Sequence, residues 1–195
     1  VRRWVVIGRT ATASPEFSLI DLPGSSGRLD VLVRCVRAAL LVSNGVRRDT
    51  IVDLVLLGGR RAPRVVRFDG RVARYVRPGE RYVATVIQKA LAHEPEGPGF
   101  TALRNGISIA NGGLDVVLSD LGDVPRVVLE QHGTDVRAAR LDSGDLAIFV
   151  GDHLGLDDAA RAAIEPCTPI SIGPVSVHAD DAIAVMSNEL DRRAV

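Results

Sequence analysis

The sequence predicts an α/β protein built on a mostly parallel sheet. Three observations carry that expectation. Beyond residue 106, short aliphatic runs alternate with amphipathic stretches, the pattern of repeated strand–helix units. Residues 51–57 form a near-continuous aliphatic run of strand length, as expected of a strand covered on both faces. Residues 29–43 set Leu29, Leu32, Val33, Val36 and Leu40 on one stripe at helical spacing.

In chain order, residues 4–7 read as a strand and residues 10–21 as a polar, turn-rich segment. Residues 22–28 form a Gly/Ser loop that leads into the helix at 29–43. The strand at 51–57 ends at Gly58-Gly59. Residues 65–68 and 72–76 flank Asp69-Gly70, a pairing that predicts a tight hairpin. Pro78 opens a helix over 80–92. Two Pro and two Gly within 93–100 mark a loop and the best candidate boundary between halves. Strands follow at 107–109, 126–129, 146–150 and 169–172, and helices at 114–121, 157–164 and 180–193.

The chain has 195 residues, 46% hydrophobic and 25% charged, enough for a single domain with one sizeable core. The apolar run over residues 1–7 is too short for a signal peptide, and no stretch approaches the length of a membrane span. Cys35 and Cys167 lie far apart without metal-site spacing, which argues against a disulfide framework or structural zinc and fits a reducing cytoplasm. His93, His132, His153 and His178 show no metal-ligand spacing either, so no metal is expected. No dinucleotide fingerprint, phosphate-binding P-loop or serine nucleophile elbow is present.

The zero net charge conceals an asymmetry. Residues 1–104 carry 18 Lys+Arg against 9 Asp+Glu; residues 105–195 carry 6 against 15. The basic half suggests a face for a polyanion, and Arg suits RNA because its planar fork grips phosphate and stacks on bases. Lys89 is the only lysine; GC-rich coding would explain that ratio, but not the asymmetry.

Three strands of the acidic half end alike. The strand at 126–129 runs on to Gly133, that at 146–150 reaches Gly151, and that at 169–172 reaches Gly173. Ligands of open α/β sheets bind beyond the carboxyl ends of strands, and glycine there allows close backbone approach. Three such ends converging would form a backbone-lined pocket suited to an adenosyl group. Each glycine taken singly also reads as a plain turn residue.

Other segments carry a resemblance. Residues 22–30 with 34–36, then 46–49, 149–155, 170–174, 178–180 and 188–191 match, in colinear order, the archaeal tRNA pseudouridine-54 N1-methyltransferases of the SPOUT superfamily. The resemblance implies a mostly parallel sheet with helices on both faces, a deep C-terminal trefoil knot, and a homodimer that methylates tRNA. It places S-adenosyl-L-methionine at Leu129, Gly151, Ser171, Ile172, Gly173, Pro174, Val175, Val177 and Ala182. Some family members have Cys where this chain has Ala182, so a mechanism that needs a thiol there is excluded.

For chemistry, Arg28 and Asp30 flank the start of the first long helix, where free N–H groups favour an anion. Asp30 also reads as a first-turn acid that complements the helix dipole. Arg34, Arg47 and Arg48 are the expected RNA contacts; Arg47 and Arg48 equally read as solvated charges. Other readings keep the cofactor and change the target to another RNA or a ribose hydroxyl, or remove catalysis and leave a binding protein.

Overall fold

A computed structural model describes residues 1–74, 76–141 and 144–194. Eight strands form one sheet. β1 (Arg2–Thr12) lies at its centre, with β4 (Thr50–Gly58) on one side and β9 (Leu146–Gly151) on the other, both parallel to it. Beyond β9 come β8 (Arg126–Asp135) and β10 (Thr168–Ser171), also parallel. Beyond β4 come β5 (Arg64–Asp69), β7 (Ile107–Asn111) and β6 (Thr101–Ala102), all antiparallel. The order is therefore β10-β8-β9-β1-β4-β5-β7-β6, a five-stranded parallel part continued by an antiparallel wing.

Strand periodicity separates two cores. Trp4 and Val6 of β1 join one apolar cluster, and Val5 and Ile7 join the other. The first cluster takes in α2 (Leu29–Leu40), α3 (Glu80–Leu91) and α6 (Ala179–Arg193). The second takes in α4 (Leu114–Leu121) and α5 (Asp158–Ile164). Helices thus cover both faces, which is why β1, β4 and β9 are apolar on successive residues.

Several boundaries differ from expectation. The supposed loop at 22–28 contains a helical turn, α1 (Leu22–Ser25), whose N-cap Asp21 accepts the Gly24 N–H at 3.1 Å. β1 continues into the segment read as turns, because Thr12 still finds a partner in Gly58. α2 stops at Leu40, three residues early, and a small hairpin follows, β2 (Leu41–Val42) with β3 (Gly45–Val46).

The hairpin at Asp69-Gly70 does not form. β5 pairs with β7 instead, Val66 opposite Ile109, and Val72 sits in an exposed turn. Tyr75, within the expected second strand, lies outside the described residues. Gly70 packs against the backbone carbonyls of Arg47 and Thr50, where a Cβ would collide. Its glycine serves a close approach, not a two-residue turn.

The charge asymmetry is in large part consumed by folding. Arg2 and Arg47 both grip Asp191, at 2.5 and 2.7 Å. Asp53, fully buried on β4, is held by Arg3 of β1 at 2.8 Å and Arg67 of β5 at 2.7 Å; both arginines also reach Asp120 of α4. At Asp120 and Asp191, basic residues from the first half clamp acidic residues from the second.

Candidate active site

The parallel strands deliver their C-terminal ends to one side of the sheet, as α/β topology requires. There a crevice of about 320 Å³ opens between the ends of β8 and β9, the loop after β10 and the start of α6. Leu129, Gly151, Ser171, Ile172 and Gly173 line it. So do Val175, Val177 and Ala182. Pro174 takes part through its carbonyl, which accepts Nε2 of Gln131, a lining residue, at 3.3 Å. All nine residues named from the sequence as a cofactor site therefore lie together or contact a residue that does.

The three glycines serve different ends. Gly173 faces open space, so its missing side chain leaves room in the crevice. Gly151 sits against Gly155, where a Cβ would lie 2.6 Å from the backbone carbon. Gly133 is not a strand-end residue and does not line the crevice. β8 continues past it to Asp135. Thr168 and Pro169 pair with Val127 and Val128, but Ile170 and Ser171 pair with Thr134 and Asp135. Residues 129–133 are thus looped out of the pairing, and a Cβ on Gly133 would lie 2.5 Å from the Ile170 nitrogen. The bulge carries Leu129 to His132 to the crevice wall, and Gly133 lets the chain pass close to β10.

The walls combine apolar surface with backbone groups. Ser171 Oγ donates to the Gly173 carbonyl at 3.0 Å and fixes the turn after β10. Asp152, buried at the rim, accepts the N–H groups of Arg9 on β1 at 2.8 Å and Leu154 at 2.9 Å, bracing the loop after β9 against β1. Glu130 pairs with Arg161 at the wall. Sequence reasoning assigns no role to Glu130, Gln131 or Arg161. Their signal is only that the first two follow a pocket strand; Arg161 arrives from α5 and has none. The small residues, the apolar walls and the fixed backbone turn fit an adenosyl group, which needs a flat apolar slot edged by backbone donors and acceptors.

A chain of charges connects this crevice to α2. Arg28 caps the helix with left-handed backbone, φ 68°. Its guanidinium grips Asp30 at 3.0 and 3.1 Å. Asp30 also accepts Arg34 at 3.0 Å, and Arg34 reaches Asp180 at 3.5 Å. Asp180 lies on the first turn of α6, between Ala179 and Ala182 of the crevice wall. Burial pushes the Asp30 carboxyl up, but hydrogen bonds from Arg28 and Arg34 outweigh it and hold it below the usual range. The hydrogen bond to Asp30 raises the Arg28 pKa in turn. Asp30 is therefore ionised and engaged on both oxygens. Arg28 keeps 45% of its side chain exposed.

The expected RNA contacts Arg34, Arg47 and Arg48 all have internal partners. Arg47 meets Asp191 through both terminal nitrogens, and Arg48 donates to the carbonyls of Gly70 and Ala73. Among the described residues no cluster of His, Cys, Asp or Glu could hold a metal ion, and no helix is long and apolar enough to cross a membrane.

Comparison with known proteins gives this geometry a context. A family model described as "Putative SAM-dependent RNA methyltransferase" matches residues 1–195. A tRNA (pseudouridine(54)-N(1))-methyltransferase of Methanosarcina acetivorans is 38% identical over 194 residues, covering 98% of this chain and 92% of that protein. The same-named protein of Halobacterium salinarum is 38% identical over 195 residues, covering 98% and 96%. The crystal structure of Archaeoglobus fulgidus Nep1 bound to S-adenosylhomocysteine superposes with a TM-score of 0.69 at 14% identity, over 100% of this chain and 99% of that one, and so shares the fold. A match over the whole chain, with relatives this similar end to end, places the protein in this family of S-adenosylmethionine-dependent RNA methyltransferases.

Proposed function

We propose that this protein transfers a methyl group from S-adenosyl-L-methionine to N1 of pseudouridine 54 in the T-loop of tRNA. The observation that carries the reading is the crevice where β8, β9 and β10 end, built from the residues expected to hold the cofactor, in a chain whose full-length relatives bear that activity in their names.

The cofactor, when bound, supplies an electrophilic sulfonium methyl. Leu129, Ile172 and Ala182 offer its adenosyl part an apolar slot, and the Ser171–Gly173 turn offers backbone groups. The protein must further align N1 within about 3–3.5 Å of the methyl carbon, exclude water, and stabilise the charge left on the uracil as its N1 proton departs. Arg28 suits the last of these roles, because it is fixed by Asp30, permanently cationic, and half open to solvent. Ala182 has no thiol, Cys35 is fully buried with its pKa pushed far up by burial, and Cys167 packs against the second core just before β10, so no cysteine serves here.

The whole chain forms one methyltransferase domain, supported by a sheet in which β1 is flanked by β4 and β9 from its two halves. The C-terminal segment threads a trefoil knot, supported by the close passage of Gly133 and β10. The enzyme works as a homodimer, supported by the exposed Leu154, Val175, Val177 and Val185 around the crevice and on α6. Two free thiols, Cys35 and Cys167, suit a cytoplasmic setting.

Nucleoside mass spectrometry of tRNA incubated with protein and S-adenosylmethionine tests the activity. Methyl label in pseudouridine of the T-loop is the expected result. Label that enters only another RNA or a ribose hydroxyl overturns the assigned target, and no label in any RNA overturns catalysis.

A further inference from the structure

The cofactor crevice is not the largest concavity of the molecule. A groove of about 610 Å³ lies on the antiparallel wing, between one face of α3 and the edge strands β6 and β7. Across the sheet from β8 to β7 are five strand spacings, roughly 24 Å at ~4.8 Å each. The groove is therefore separate from the crevice and takes no part in holding the cofactor.

Its construction is particular. α3 presents Tyr82, Val86 and Lys89 at helical spacing along one wall, and His93 follows just past its end. Val86, Leu103 and Ile107 give an apolar floor, with Phe68 buried beneath it. Arg104 stands on the opposite wall. Arg77 stacks near Tyr82, 5.5 Å from the ring centre, and Arg74 is tied beside it by its N–H to Asn105 at 2.7 Å. Among the described residues no Asp or Glu lines the groove. Lys89 and Arg104 are exposed and form no ion pair among the described residues. This contrasts with Arg34, Arg47 and Arg48, whose charges are spent on Asp30, Asp191 and backbone carbonyls.

We propose that this groove is a second RNA-binding site, which seats an unstacked base of the substrate RNA on its apolar floor while Lys89 and Arg104 contact the flanking phosphates. The inference rests on the reading of the substrate as tRNA. Its chemistry is that of single-stranded RNA recognition: an apolar or aromatic platform takes the face of a base, and cations follow the backbone. An apolar protein segment would find no use for a rim of unpaired cations, and a free anion no use for the apolar floor. The groove holds the RNA at a point distant from the methylated base and so contributes affinity and register rather than chemistry.

Binding of full-length tRNA, measured against salt concentration, tests the proposal. The Lys89→Glu/Arg104→Glu double variant is compared with Arg140→Glu/Arg192→Glu, the same charge change at exposed positions elsewhere. The groove variant is expected to lose at least about tenfold in tRNA affinity and to flatten the log–log salt slope by about 1.4 to 1.8, the loss of two phosphate contacts. The control pair keeps the wild-type slope, and S-adenosylhomocysteine binding by calorimetry is unchanged in both. Ala102→Trp, which fills the groove without changing charge, is expected to weaken tRNA binding as well. Equal losses in the groove and control pairs overturn the proposal, as does full affinity in Ala102→Trp. If the wild-type protein itself binds no tRNA, the substrate reading fails first. Wild-type affinity retained by all variants leaves that reading standing and removes the groove alone.

Discussion

The crevice at the strand ends and the arginine layer around α2 are built by opposite means. The crevice is mostly backbone, glycine and small apolar side chains, gathered where neighbouring parallel strands end. The arginine layer is mostly side chain, and its partners come from far along the sequence: Arg47 and Asp191 are 144 residues apart. A site of the first kind is positioned by topology. A site of the second kind is positioned by pairwise choices among many possible acids, which only the folded chain makes.

The sharpest way to break this comparison is at Gly133. A Cβ there meets the backbone of Pro169 and Ile170, which cannot retreat as a flexible side chain would. Gly133→Val is expected to cost more than about 4 kcal/mol, or to prevent folding, as seen in denaturant unfolding. A stable variant that binds cofactor normally would show that the passage beside β10 is not tight. Gly173→Trp separates binding from folding. Its side chain enters open space, so the unfolding midpoint should hold while cofactor affinity falls at least about a hundredfold by calorimetry, roughly 2.7 kcal/mol.

In the arginine layer the expected effects are no larger and divide by residue. Arg28→Ala should lower kcat by about a hundredfold with cofactor affinity intact, the loss of one preorganised charge; Arg28→Lys should recover only part of it, since lysine lacks the fork that grips Asp30. An unchanged kcat would remove Arg28 from the chemistry. Arg47→Ala should cost about 1–2 kcal/mol in stability and leave tRNA affinity nearly unchanged, because its charge is committed to Asp191. A steep loss of RNA binding without loss of stability would reverse that assignment.

The smallest effect concerns pH. The Asp30 pKa is lowered in the folded state, so its contribution to stability is present above the unfolded carboxylate range and is lost as pH falls through the folded value. The unfolding midpoints of wild type and Asp30→Asn should differ at neutral pH and converge below about pH 4, near the unfolded pKa. A constant gap would mean the ionised carboxylate contributes nothing.

The contrast also explains what the linear chain reveals. Glycine punctuation points to the crevice, because close backbone approach leaves its mark in the residues that allow it. Yet it misplaces Gly133: a bulge of residues 129–133 inside β8 has no sequence signature separate from an ordinary strand end. The pairing of the arginines is hidden in the sequence for a different reason. Arg34, Arg47 and Arg48 stand out by their position near a helix, while Lys89 and Arg104, on the antiparallel wing, stand out in no motif. Which cations remain unpaired depends on where Asp180 and Asp191 land, and α6 decides that.

By itself, then, the sequence determined the fold class, the strands buried on both faces and the family, because local periodicity and colinear motifs are properties of the linear chain. The tertiary structure alone decided that β5 pairs with β7 instead of forming a hairpin, that Asp30 is locked between two arginines, and that a cationic groove stands apart from the crevice. Each of those depends on contacts between residues distant in sequence or on a backbone turn that the assembled core holds in place. Their energy is set by burial and charge pairing that exist only once the sheet has assembled.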